Sequence, residues 1–448
     1  MENINDFVDN ASVGNNYNWT SLNIDLNFNK SEIDLDSIIK REKQFGDTHN
    51  EVLFIHEYVH FVQNFYCNWG GLVFCEFVLS LEKLGASKAV DDFKLSMPLK
   101  IEHIADANLW NDGVDYYNKF QLLIGSKKEE IILENACKSD KISIKKIAEE
   151  ELIINNGRIS YTINCKTIRE HMADLSSMLF MNYSDTQIHE RFSNSSAFCS
   201  SPKTLDKQPT YWMLLEYFYS NELKNIAEGL VLICHAALST ASPLRMIIRF
   251  FKFSINFKGG KDLVELVHRF LTKPVEIIAY SFSFNATLQS LVNQLKLCSS
   301  HADHDFYRFN IEIFNTLMMN ISNHFSAKLF FRNPANLRNK DAWVQMIHHT
   351  GTPIIRYKDK TPVISTFSNK LVESLTYFLG VAKVLENLKG SSMHCCPFHT
   401  DFDICKALYK NNENCFHDPL LVKNPFINGK ECLFHNAIEL MGLTDRIS

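Results

Sequence analysis

The sequence predicts an α+β fold that is predominantly α-helical, and three observations carry that expectation. An alternating segment near residue 24 has strand periodicity, two short apolar runs flank Asn156-Gly157, and from Thr167 onward most apolar residues recur at helical spacing. With 448 residues, 46% of them hydrophobic, the chain can bury at least one large core.

In chain order, "SLNIDLNF" alternates Leu22, Ile24, Leu26 and Phe28 with polar residues, which predicts a strand with one buried face. Thr48-His49-Asn50-Glu51 is a capping box, and Val52, Ile55, Val59 and Val62 continue it as a helix towards Gly70-Gly71. Helices are expected over residues 72–84 and 108–123. The stretch "EEELIINNGRISYTIN" reads as two strands joined by a tight turn at Asn156-Gly157, flanked by Ile153, Ile159 and Tyr161. Helical periodicity then predicts helices near 168–181, 211–219, 226–238, 261–270, 275–297, 304–325 and 368–388. "TPIIRYKDKTPVIST" interrupts them as a small hairpin about Lys358-Asp359-Lys360. Breaks near Pro202 and at Gly390-Ser391-Ser392 divide the chain into 1–200, a helical 201–390, and a Cys/His-rich 391–448.

The net charge of −5 arises from acidic and basic residues mixed along the chain, without the basic block that grips phosphate backbones, so no nucleic-acid partner is expected. The opening "ENINDFVDNASVGNNYN" lacks the features of a secretory signal, and no apolar run reaches the roughly 18 residues of a membrane span. A cytoplasmic protein with reduced thiols is expected. Of twelve cysteines, Cys67, Cys75, Cys137, Cys165, Cys199, Cys234 and Cys298 sit among apolar residues and read as packing.

The most informative stretch is His56-Glu57-Tyr58-Val59-His60, inside the helix opened by Thr48. Residues four apart share a helix face with Cβ atoms roughly 6 Å apart, so the two imidazoles can share one ion. Glu57, turned by about 100°, is placed to reach a water held by that ion and act as general base. The plainer reading is an ordinary helix with incidental polar residues. Against it, Phe54, Ile55, Val59, Phe61 and Val62 make the surroundings apolar, where two His and a Glu need partners.

A hydrolytic zinc site needs a third protein ligand and an open fourth position. "FVQNFYCNWGG" after His60 lacks the Gly-x-x-His of metzincins. Glu170 in "TIREHMADLSSMLF", its neighbour His171, and Glu76 in "LVFCEFVLSLEKL" are the candidates, and Glu170 also fits a capping box with Thr167. Glu170 with Asp174 one turn later resembles the gluzincin clan of zinc metallopeptidases, the thermolysin-like group, whose second helix carries Glu-x-x-x-Asp. That resemblance covers about 35 residues. It implies His56, His60 and Glu170 as zinc ligands, Glu57 as base, Asp174 as the partner of His56, and a zincin-like core in 1–200 with a helical insertion. It also implies that the strand near Ile24 is the edge strand lining a substrate cleft. Gln63, on the motif's face, is either a partner to a ligand or substrate or a plain buried amide. Tyr357, His348 and His349 are candidates by residue type for stabilising an oxyanion.

The tail holds Cys396-Pro397-Phe398-His399 and Cys432-Leu433-Phe434-His435, with Cys405 and Cys415 between. Four of these six groups suffice for a second, structural zinc; the alternative is a Phe-rich cap with buried thiols. The expected function is a zinc metallopeptidase acting on a protein or peptide. The alternatives are a zincin-like scaffold without turnover and a metal-dependent hydrolase of a non-peptide bond.

Overall fold

A computed structural model of the chain describes residues 16–18, 23–67, 69–71, 130–134, 141–148, 151–155, 160–163, 165–190, 218, 222–240, 243–255, 262–272, 325–358, 362–363, 426–427, 430–431 and 435. These residues are mostly helical with small β-sheets, the α+β class expected from the sequence. Strands β1 (Asn16–Asn18) and β2 (Asn23–Asp25) are followed by helices α1 (Leu35–Ile39) and α2 (His49–Tyr66). Strands β3 (Glu130–Glu134), β4 (Lys141–Ala148), β5 (Glu151–Asn155) and β6 (Ser160–Ile163) precede helix α3 (Cys165–Phe180). Then come α4 (Ile226–Leu238), α5 (Pro243–Ile255), α6 (Leu263–Leu271) and α7 (Phe325–Arg332), a 3-10 turn over Pro334–Arg338, and α8 (Lys340–Thr350). Strands β7 (Ile354–Arg356), β8 (Pro362–Val363), β9 (Phe426–Ile427) and β10 (Lys430–Glu431) complete the order.

The first sheet runs β1-β2-β7-β8, with β2 antiparallel to β1 and parallel to β7. Ile24, Leu26 and Phe28 are buried, as their alternation requires, and the pairing extends past the strand ends through Leu26 N–H to the Arg356 carbonyl (2.8 Å). Arg356 clasps its register partner Asp25 with two hydrogen bonds, 2.6 and 2.7 Å. One expectation fails here: β2 lies inside this sheet, so the edge position belongs to β1 on that side. A strand's own periodicity reports its buried face and is silent about how many neighbours it has.

Helix α2 is capped as the sequence predicts, Thr48 Oγ1 accepting from Glu51 N–H while Glu51 accepts from Thr48 N–H. Phe54, Ile55, Tyr58, Val59, Phe61, Val62 and Phe65 are fully buried, which makes α2 a central helix covered on several sides. Its far end meets the chain at Gly70, where an added Cβ would lie 2.1 Å from the Gln63 carbonyl oxygen; only glycine permits that approach. Helix α2 packs on α3, α3 on α4, and α4 on α5 and α6. The α4–α6 contact is close at Gly229, where a Cβ would come within 2.5 Å of Leu263. Phe45, Phe180, Trp343, Phe330 and Phe331 form a chain of ring contacts that joins α3, α7 and α8.

The hairpin near Asn156 is present as β5 and β6, which pair antiparallel from Leu152 with Ile163 to Asn155 with Ser160; residues 156–159 between them, Ile159 included, lie outside the described residues. It belongs to a four-stranded antiparallel sheet, β3-β4-β5-β6, whose first two strands the sequence reading passed over. The hairpin of β7 and β8 is as expected. Helices α3, α4 and α6 match expectation to within a few residues, while α1, α5, α7 and α8 were not anticipated. The helices expected at 72–84, 108–123, 275–297 and 368–388, nearly all of those at 211–219 and 304–325, both proposed domain breaks, Glu76 and the tail residues Cys396, His399, Cys405, Cys415 and Cys432 lie outside the described residues; His435 is half-buried. Among the described residues no helix is long and apolar enough to cross a membrane. Cys67 and Cys234 are buried and Cys165 half-buried, and burial pushes the Cys234 thiol up to about 12.

Tyr357 is buried, and its hydroxyl donates to the Ile33 carbonyl (2.8 Å) and accepts from Leu35 N–H (3.0 Å) at the start of α1. Tyr357→Phe leaves both backbone groups without this partner and should lower stability by about 1–3 kcal/mol in denaturant unfolding. A loss below about 0.5 kcal/mol would show that the hydroxyl does not tie α1 to the sheet.

Candidate metal centre

Helices α2 and α3 bring His56, His60 and Glu170 together across 110 positions of sequence. The two Nε2 atoms lie 3.2 Å apart, and Glu170 Oε2 lies 3.3 Å from His60 Nε2 and 3.7 Å from His56 Nε2. An ion about 2.0–2.1 Å from three donors at tetrahedral angles places those donors about 3.3 Å apart. The triangle therefore has the dimensions of one face of a zinc coordination tetrahedron, and the donor set of two imidazoles and a carboxylate fits that ion.

The protons point the same way. His56 Nδ1 is 3.1 Å from Asp174 Oδ1, an acceptor, so its hydrogen sits on Nδ1 and Nε2 keeps a lone pair. His60 Nδ1 is 2.9 Å from Gln63 Oε1, and the orientation of that amide is fixed because Gln63 Nε2 donates to the Arg169 carbonyl at 2.8 Å. His60 thus also directs a lone pair inward. Two nitrogen lone pairs and a carboxylate oxygen converge with no hydrogen between them, an arrangement that repels unless a cation or an added proton occupies the centre.

Without an ion a proton takes that role. Burial alone would lower the proton affinity of His56, yet hydrogen bonds to Asp174 and Glu170, and the charges of Asp174 and Glu57, raise it well above its ordinary value. Burial alone would likewise raise Glu170, but His60 and His56 hold its carboxyl well below the usual range. The side chains of Glu170 and Asp174 are 39% and 35% exposed against 8% for His60, so the cluster opens to solvent on the α3 side. Glu57 is buried beside it at 8%.

Among the three sequence candidates for a third donor, Glu170 faces the histidines. Helix α3 begins at Cys165, so Thr167 and Glu170 are already inside it and the capping-box reading of Glu170 does not apply. His171, one residue on, turns into the interior at 2% exposure, where burial lowers it to about 4, against the opposing charge of Asp174, and keeps it neutral. Tyr357 is committed to the backbone of α1, and His348 and His349 are exposed on α8 with their rings 5.7 Å apart. Arg169 was not singled out from sequence; its Nε donates to Gln63 Oε1 at 3.3 Å. No spacing rule marks it, because its role depends on a partner 106 positions away.

Compared with models of protein families, with curated proteins and with solved structures, the chain matches none.

Two outcomes follow. Glu170→Ala should weaken zinc binding by at least about a hundredfold, more than loss of an outer partner typically costs, while His171→Ala leaves it nearly unchanged. Chelator competition measures both, and an unchanged Glu170→Ala would remove Glu170 from the site. The second outcome concerns pH. In the metal-free protein the raised His56 stabilises the fold fully below its ordinary 6.5, and that contribution is lost as pH rises through the raised folded value. Zinc must displace this proton, so affinity should rise by about tenfold per pH unit up to that value, with about one proton released. Calorimetry in buffers of different ionisation enthalpy reads the release; zinc binding without it would contradict the assignment.

Proposed function

We propose that the chain is a zinc-dependent metallopeptidase hydrolysing protein or peptide substrates, with His56, His60 and Glu170 holding the ion and Glu57 as general base. The observation that carries this reading is the convergence of three electron-pair donors at tetrahedral spacing, with a carboxylate one residue from the first of them. The likeness to thermolysin-like peptidases in the His-Glu-x-x-His and Glu-x-x-x-Asp pairs supports the same reading.

Zinc held by these residues would supply a Lewis acid that polarises a carbonyl and brings the pKa of a water towards neutrality. The protein's own groups do the rest. Asp174 keeps the His56 proton on Nδ1, and Gln63 does so for His60, so both Nε2 atoms stay available. Glu57 accepts a proton from the attacking water and returns it to the nitrogen of the breaking peptide bond. The partly exposed flank at Glu170 and Asp174 gives water and an extended substrate access to the reacting atoms.

Glu57→Gln keeps size and zinc contacts while removing the base, and should lower turnover by about two to four orders of magnitude at equal zinc occupancy. Cleavage of a peptide library by the two proteins is the measurement. Equal activity would assign hydrolysis to other residues; no cleavage by either, with zinc bound, would favour the scaffold alternative.

A further inference from the structure

Resting on the reading of the cluster as a metal centre, we infer that Gln63 is a positioning residue that orients His60 and, through Arg169, sets where Glu170 stands. Gln63 is 1% exposed, so water does not satisfy its carboxamide and its bonds come from the protein. Its Oε1 accepts from His60 Nδ1 at 2.9 Å and from Arg169 Nε at 3.3 Å, and its Nε2 donates to the Arg169 carbonyl at 2.8 Å.

The first bond fixes ligand orientation. His60 and Gln63 are three residues apart on one helix, hence neighbours on its surface, and the amide oxygen holds the imidazole proton on the side away from the cluster. The other two bonds cross to α3. Arg169 immediately precedes Glu170, so the amide grips both the backbone carbonyl and the side chain of the residue next to the one that presents the third donor. Only a group that donates and accepts at once can do this. A carboxylate here could accept from His60 and Arg169 Nε but would face the Arg169 carbonyl with no hydrogen to offer.

The centre is therefore built asymmetrically. His56 is oriented from α3 by the carboxyl side chain of Asp174, and His60 from within α2 by an amide that also braces the two helices. Each histidine depends on the α2–α3 contact, and Gln63 links the orientation of His60 to the backbone immediately before Glu170.

Two variants of the full chain test this, with zinc affinity by chelator competition, the cobalt-loaded visible spectrum, and the Tm of the metal-free protein as readouts. Gln63→Leu, similar in volume and unable to hydrogen-bond, should weaken zinc by about 10–100-fold and alter the cobalt bands. Gln63→Glu keeps the acceptor towards His60 and loses the donor towards Arg169, so its affinity should fall between wild type and Gln63→Leu; it also serves as the test if the leucine variant does not fold. A lowered metal-free Tm with wild-type affinity and spectrum in both variants would make Gln63 a packing residue and overturn the inference. Gln63→Glu binding more weakly than Gln63→Leu would overturn it too. His60→Ala separates the two levels of failure: zinc in the wild type that His60→Ala does not remove sinks the metal-centre reading and this inference together, whereas zinc lost in His60→Ala but insensitive to Gln63 sinks only the inference.

Discussion

The contact between α2 and α3 is the constraint on which the rest of this structure depends, because polar groups that α2 carries into an apolar interior must find partners there, and α3 supplies them. Helix α2 alone carries His56, Glu57, His60 and Gln63 among fully buried Phe54, Ile55, Tyr58, Val59, Phe61 and Val62. As an isolated helix that sequence would be a poor interior element. Helix α3 supplies what it lacks: Asp174 for one imidazole, the Arg169 backbone for the Gln63 amide, and Glu170 opposite both Nε2 atoms. At the centre two imidazole nitrogens and a carboxylate oxygen lie at the spacing that donors to one cation require.

The surrounding fold limits how far these two helices can shift. The Tyr58 hydroxyl donates to the Gly351 carbonyl at 2.8 Å and bonds Thr350, and Tyr66 bonds the Thr350 carbonyl, so α2 is tied to the end of α8 just before β7. Strand β7 in turn pairs with β2 and is clasped to it by Arg356 and Asp25. On the other side, the turn after α3 is held by Arg338, which bonds the Tyr183 carbonyl at 2.8 Å and pairs with Glu228 of α4 at 2.7 Å. Asp185 caps the first two N–H groups of α4, both at 3.0 Å. The two helices that carry the cluster are thus fastened on two sides, which limits how far its side chains can move apart.

How much of this was legible in the sequence follows from the range of each interaction. The start of α2 was readable because Thr48 and Glu51 satisfy each other three residues apart, and the His56–His60 pair because a helix repeats every 3.6 residues. The buried face of β2 was readable from Ile24, Leu26 and Phe28 for the same reason, whereas its interior place in the sheet was not, since its parallel partner β7 lies some 330 residues on. Strands β3 and β4 were missed: "EIILE" and "KISIKKIA" are rich in Glu and Lys, which strands disfavour, and no Asn-Gly pair marks a turn between them.

By itself the sequence determined the class of the fold, the helix that carries His56, Glu57 and His60, and a short set of residues able to complete a metal site. Glu170, His171 and Glu76 were chemically eligible in any unfolded chain. Tertiary structure alone decided that Glu170 faces the histidines while His171 turns inward, that Tyr357 is committed to backbone groups, and that Gln63 meets Arg169. The physical reason is that coordination and hydrogen bonding act over about 3 Å, and which residues come that close across 110 positions of chain is set by helix packing rather than by any local repeat.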